Sequence, residues 1–228
     1  MPKNGNEKYI KCSGVVLSRI VQGENNLILE LFLEDIGITR ATLRNAISTT
    51  KFGGVSEPTS WGIFALRNST RFKGYVLESA EIFDDMLDLK TCSEAFKCFM
   101  KWADMLRKKI PNGADDNDLL KILYDEMKLL TNRKIPVKAV NFRFIWRWLT
   151  SWGGVPDFKT CFASKLNSKI FSVRELKLLY YLSILDAKNL EKLFTQNNVN
   201  EFLKANSQNN PKFFDTAANF ITSFFNQT

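Results

Sequence analysis

Between Met127 and Arg174 the chain carries ten basic residues and a single acid, Asp157. Arg143 and Arg147 are four residues apart, a spacing that puts both on one face of a helix. Phe142, Phe144, Trp146 and Trp148 interleave with them. Guanidinium groups fork onto carboxylates and phosphates, and basic heads beside apolar surface suit a partner that bears both carboxylates and hydrophobic side chains. The chemistry on offer is binding by charge. Catalysis has little to work with. The chain has no histidine, so neither Ser-His-Asp nor Cys-His catalysis can be assembled, nor any His-bearing metal site. Cys12, Cys92, Cys98 and Cys161 form no C-x-x-C pair, and the spacing of Cys92 and Cys98 suits neither a zinc knuckle nor a redox motif. Asp115, Asp116 and Asp118 precede an apolar-periodic run and read as helix-capping carboxylates. Gly53-Gly54 lacks the spacing and the lysine of a phosphate-binding loop. No catalytic residue, no metal and no cofactor is expected.

The elements that must position these residues change period near residue 85. Before it, five runs rich in branched and aromatic residues are bounded by turn residues: 14–22, 26–34, 38–45, 60–67 and 74–83. Leu27, Leu29, Leu31 and Leu33 alternate onto one face of the second run. Five short strands in about 70 residues predict a small closed barrel, for which the OB-fold is the common five-stranded case. After residue 90 the apolar residues recur at three and four. Ala95, Phe99, Trp102 and Leu106 mark one helix, Leu119 to Leu130 a second, and Val140, Phe144, Trp148 and Leu149 a third after Pro136. Ser172 with Glu175 is a capping box that opens another, and Phe213 to Phe224 mark a last one after Pro211. Phe144 and Trp148 read as core, whereas Phe142 and Trp146 lie toward the opposite side of their helix. The expected class is α+β in two domains: residues 1–85 an OB-fold, residues 86–228 all helical.

The 228 residues hold 32 Lys+Arg against 24 Asp+Glu, a net charge of +8 and a pI near 9.3. Up to Asp85 the two signs balance at ten each, so the helical part carries the whole excess. A basic balance favours an acidic partner such as nucleic acid. No apolar stretch approaches the roughly 18 residues of a membrane span, and Met1–Tyr9 lacks the apolar core of a signal peptide. A soluble cytoplasmic protein without membrane contact is expected.

Specific residues add a family resemblance. Gly14-Val15-Val16-Leu17-Ser18-Arg19, then Gly23-Glu24, Gly37 in the following hairpin, Gly53 to Pro58, and Ser79-Ala80-Glu81 resemble successive elements of the bacterial recombination mediator RecO family. A second block, Arg143 to Leu149 followed by Gly153, Pro156, Asp157 and Cys161, is similar to that family's helical region. Many relatives follow the matching cysteine with three more that form a zinc ribbon; this chain has none after Cys161, so no zinc ribbon is expected. The resemblance implies a non-enzymatic DNA repair factor, nucleoid-associated, that binds single- and double-stranded DNA and anneals strands. It also implies that the protein, with RecR, helps load RecA on DNA coated by single-strand-binding protein (SSB), whose acidic C-terminal tail it binds. On that reading Lys11, Arg19, Arg40, Arg44, Lys51, Arg71 and Lys73 around the barrel, with Lys134, contact DNA. Lys138, Arg143 and Arg147 take the carboxylates of the tail. The alternative is a protein–protein adaptor that binds RecR and the tail with little affinity for DNA.

Overall fold

The computed structural model describes residues 9–46, 54–69, 74–155, 157–167 and 170–226. Five strands, β1 (Tyr9–Gln22), β2 (Asn26–Leu33), β3 (Gly37–Leu43), β4 (Trp61–Asn68) and β5 (Tyr75–Asp84), close into a barrel in the order β1-β2-β3-β5-β4. That order and closure are those of an OB-fold. The four alternating leucines of β2 all point into the barrel, where they meet Val16, Ala41, Leu43, Phe64, Leu66 and Leu77. Burying each Leu or Phe contributes about 1.5–3 kcal/mol relative to leaving it exposed. β1 starts five residues before the predicted run. Tyr9 to Val15 pair with β4, and Gly14 to Gln22 pair with β2, with a bulge between Val16 and Ser18. One long, bent strand therefore serves both neighbours, which is how a small barrel closes. Gly37 opens β3 at φ +76°, and a Cβ there would meet the Ala114 carbonyl oxygen at 2.0 Å. Only glycine lets that loop approach the strand.

Among the described residues the helices are α1 (Leu87–Thr91), α2 (Ser93–Lys109), α3 (Asn117–Asn132), α4 (Val137–Ser151), α5 (Phe158–Asn167), α6 (Val173–Ile184), α7 (Ala187–Thr195), α8 (Asn197–Asn209) and α9 (Phe213–Thr222). The predicted caps are in place. Asp116 accepts from the Leu119 N–H at 2.9 Å, and both bonds of the Ser172–Glu175 capping box are formed. Glu175, itself buried, also accepts from Asn206 at 3.0 Å, so the cap of α6 ties down α8. Four helices, α1, α5, α7 and α8, are not among those expected from the sequence, although α7 carries a signal: Asp186 caps it, accepting from the Asn189 N–H at 2.8 Å, and Leu190, Leu193 and Phe194 recur at helical spacing. Two are short, and α8 is rich in asparagine, a weak helix former.

The chain divides into two compact units, residues 1–120 and 121–228, and the division falls in the first turn of α3. The first contains the barrel with α1 and α2. It has sixteen basic and sixteen acidic residues, whereas the second has sixteen basic and eight acidic. Among the described residues no helix is long and apolar enough to cross a membrane, and no group of His, Cys, Asp or Glu could hold a metal ion.

Candidate functional site

In the first unit the outward face of β1, β2 and β3 is organised around a buried acid. Glu30 is 8% exposed and sits opposite Ser18 on β1 and Arg40 on β3. The Ser18 hydroxyl donates to it at 2.6 Å, Arg40 at 2.9 Å and Arg107 of α2 at 2.9 Å. Burial alone would raise the Glu30 carboxyl, but the hydrogen bonds from Ser18, Arg107 and Arg40 outweigh it and hold the group below its ordinary value. Arg107 of α2 thus reaches the middle of this face, while Ile20 and Arg44 are exposed. β3 and β5 pair only at two positions. A notch of about 480 Å³ beside that seam is lined by Thr39, Arg40, Asn68, Tyr75 and Asn112.

The carboxylate of Glu30 has a consequence for stability. A carboxyl whose pKa is lowered by folding contributes stability above its unfolded value, here ordinarily 4.5. That contribution is lost as pH falls through the folded value. Glu30→Gln is expected to cost about 1.5–3 kcal/mol at pH 7, the scale of hydrogen bonds to a charged group. The gap to the wild type should narrow below pH 4.5 in denaturant titrations of the full chain. A gap that stayed constant down to pH 3 would show that the charge of Glu30 contributes nothing.

Among the described residues, the barrel positions expected to contact DNA lie on different parts of the barrel. Arg40 lies on the outward side of β3 and Arg44 in the turn that follows the strand, but Arg40 is held by Glu30. Arg19 is exposed and paired with Glu57. Lys11 lies on the half of β1 that pairs with β4, opposite Ala65. Arg44 and Lys11 are exposed, with no ion-pair partner among the described residues. Lys51, Arg71 and Lys73 lie outside the described residues.

In the second unit the fold redistributes the basic run. Lys134 pairs with Glu191 at 2.9 Å and Lys138 with Asp215 at 2.7 Å. Arg143 is 5% exposed; its Nε donates to Glu126 at 2.8 Å and its Nη1 to the Leu182 carbonyl at 2.7 Å. Arg147 donates to the same Glu126 oxygen at 2.7 Å and to Asp125 at 3.2 Å. The two arginines do share a helix face, as their spacing predicts, and that face meets α3 and α6. Burial lowers and the Glu126 and Asp125 carboxylates raise the Arg147 guanidinium, with a net upward direction. Arg143 thereby satisfies one of the last carbonyls of α6, which have no intrahelical donor. The opposite face of α4 is closed too. Trp146 packs on Phe158 with ring centroids 5.4 Å apart, and Phe142 on Phe162 at 6.5 Å. Helix α5, which has no clear signal in the sequence, covers the side that could otherwise have met a partner. Phe144 and Trp148 are buried as expected.

Sequence reasoning missed the open, basic, apolar site of this unit. A groove of about 770 Å³ lies among α6, α7 and α8, with Leu178, Tyr181, Leu185, Leu193 and Phe202 in its wall. Arg174 and Lys177 stand on its rim, one helical turn apart, and neither has a carboxylate partner among the described residues. Glu201 is the acid that lines it. The available signal was the spacing Arg174, Lys177, Leu178, Tyr181 behind the capping box, which places cations and apolar side chains on one face. Its other walls belong to α7 and α8, which are not among the helices expected from the sequence. A groove of this size with apolar walls and cationic rim fits a short peptide bearing both carboxylates and large side chains.

No family model matches the chain. Among curated proteins it is similar to the DNA repair protein RecO of Exiguobacterium sp., with 22% identity over 121 residues, or 53% of this chain and 48% of the relative. The match spans about half the length of that curated relative.

Proposed function

We propose that this protein is a non-enzymatic recombination mediator in DNA repair. It binds single- and double-stranded DNA, anneals complementary strands and, with RecR, helps load RecA on DNA coated by SSB. The observation that carries the reading is an OB-fold barrel followed by a basic helical unit in a chain similar to a DNA repair protein RecO. Annealing asks for no catalytic group, only two strands screened and held close. Screening comes from lysines and arginines that neutralise phosphates and release counterions. Arg44 and Lys11 on the barrel can do so without breaking a described ion pair; Arg40 and Arg19 must share their charge with Glu30 and Glu57. For the acidic SSB tail, the α6–α8 groove is the better receptor. There Arg174 and Lys177 meet carboxylates and the apolar wall takes hydrophobic side chains, whereas a tail at Lys138, Arg143 and Arg147 would have to displace carboxylates already bonded.

Fluorescence anisotropy with a labelled single-stranded oligonucleotide tests the reading. Affinity is expected to fall about 50-fold between 50 and 200 mM salt if some four phosphates are contacted. A curve that stays flat over that range overturns it. The equal numbers of acids and bases in the first unit favour a second reading, an adaptor for RecR and the tail with little DNA affinity. Tail-peptide binding without oligonucleotide binding would select it.

A further inference from the structure

Helix α6 is apolar on both of its sides. At about 3.6 residues per turn, Glu175, Leu178, Leu179 and Leu182 gather on the side that is buried. Val173, Lys177, Tyr180 and Ile184 gather on the opposite side. Val173 is 71% exposed, Tyr180 39% and Ile184 56%. With the stem of Lys177 between them they form a stripe about 16 Å long, at 1.5 Å of rise per residue. A surface helix ordinarily turns charged and polar residues outward, and one that is apolar all round is buried against neighbours on every side. The Tyr180 ring is set in place by Phe158 of α5, which it meets edge-on with centroids 5.4 Å apart.

Charge selects the kind of partner. Of the charged residues of α6, Glu175 is buried in its capping box, while Arg174 and Lys177 are exposed and have no carboxylate partner among the described residues. Both stand along the edge of the stripe that borders the α6–α8 groove, where the Lys177 ammonium lies over the Tyr181 ring at 5.8 Å. The acids that open the neighbouring helices are engaged as caps: Asp157 accepts from the Lys159 N–H at 3.0 Å, and Asp186 from the Asn189 N–H at 2.8 Å. An apolar stripe with a cationic edge is complementary to a helix with an apolar face and an acidic edge. Nucleic acid would use the cations and leave the apolar stripe in water. An antiparallel pair of α6 helices from two copies would bring both cationic edges to one side, where like charges repel.

We infer that the outer face of α6 docks an acidic amphipathic helix of a partner protein. Val173, Tyr180 and Ile184 take apolar side chains from successive turns of that helix, and Arg174 and Lys177 take carboxylates along its edge. The surface shares those two cations with the α6–α8 groove but draws its apolar contacts from other residues. It does not depend on the mediator reading.

The probe is a labelled, end-blocked peptide, Glu-Leu-Ala-Glu-Glu-Leu-Ala-Ala-Leu-Glu-Glu-Ala-Leu-Ala, titrated into the full chain. Its leucines repeat on one helix face at the spacing of the stripe. One control carries lysines for the glutamates; the other keeps the composition but spreads the leucines round the helix. The wild type is expected to bind the probe at least tenfold more tightly than either control. Far-UV circular dichroism of the mixture should show more helix than the sum of the separate spectra, a readout that requires no variant to fold. Val173→Ser combined with Ile184→Ser, both at exposed positions, should weaken the probe at least tenfold, whereas Val199→Ser in the groove should leave its affinity unchanged. Equal affinity for the three peptides, no gain of helix, or no binding overturns the inference. So does loss of binding in Val199→Ser but not in the stripe variant, since the peptide would then lie in the groove. A concentration-dependent dimer in sedimentation that Ile184→Ser abolishes would assign the stripe to a second copy instead. Binding to phosphatidylglycerol vesicles that the stripe variant loses would assign it to a lipid surface, and either result overturns the inference.

Discussion

Arg143→Ala is expected to cost the protein about 3–5 kcal/mol of stability, because removing one partner leaves a buried charge uncompensated. Glu126 is fully buried; Arg143 and Arg147 share one of its carboxylate oxygens, and the other has no partner among the described residues. Burial pushes the Glu126 carboxyl up, against the pull of the Arg143 and Arg147 charges. Removing Arg143 takes away the more buried of its two cations and also the donor to the Leu182 carbonyl. Urea denaturation followed by circular dichroism measures the loss. The control is Glu126→Leu combined with Arg143→Met, which removes both charges and fills the space with apolar groups. That pair should recover much of the stability. If Arg143→Ala instead folds normally and loses only its affinity for an acidic peptide, the residue is a ligand-binding group and its buried contacts are incidental.

The second large effect concerns the groove. Arg174→Glu with Lys177→Glu should weaken binding of an acidic, hydrophobic tail peptide by about 3 kcal/mol or more, since each charge-assisted hydrogen bond contributes about 1.5–3 kcal/mol. At about 1.4 kcal/mol per tenfold change, that is a loss above a hundredfold. Both side chains are exposed and neither has a carboxylate partner among the described residues, Lys177 lying instead over the Tyr181 ring at 5.8 Å, so the fold should be little affected. Lys138→Glu is the control. Its pair with Asp215 is about half exposed, and exposed ion pairs contribute about 0–1 kcal/mol. Isothermal titration of the three proteins with one peptide separates the two locations. A large loss at Lys138 with none at the groove would return the tail to α4.

Much of the architecture is legible along the chain because it is set by local chemistry. The alternating leucines of β2 could bury one face only as a strand, and the glycine of the β2–β3 hairpin holds a positive φ that other residues resist. Ser172 and Glu175 are close in sequence because a capping box spans three residues. Such devices act over one turn or one strand, so their signals survive without knowledge of the fold. Helix α8 escapes because packing, not propensity, holds it: it is tied by Asn206 to a buried glutamate 31 residues away.

The candidate site shows the opposite case. Ten bases and one acid in a row describe composition along the chain, while Coulomb's law acts through space. Glu126 lies 17 residues before Arg143, Glu191 lies 57 after Lys134, and Asp215 lies 77 after Lys138. Only helix packing brings these partners to hydrogen-bond distance, and a paired, buried guanidinium is no longer available to a ligand. By itself the sequence determined a basic, histidine-free chain with a barrel and a helical part, because composition and periodicity are properties of the chain. Which cations stay open, Arg174 and Lys177 rather than Arg143 and Arg147, was decided by the tertiary structure, because it sets which charges desolvate and which remain in water.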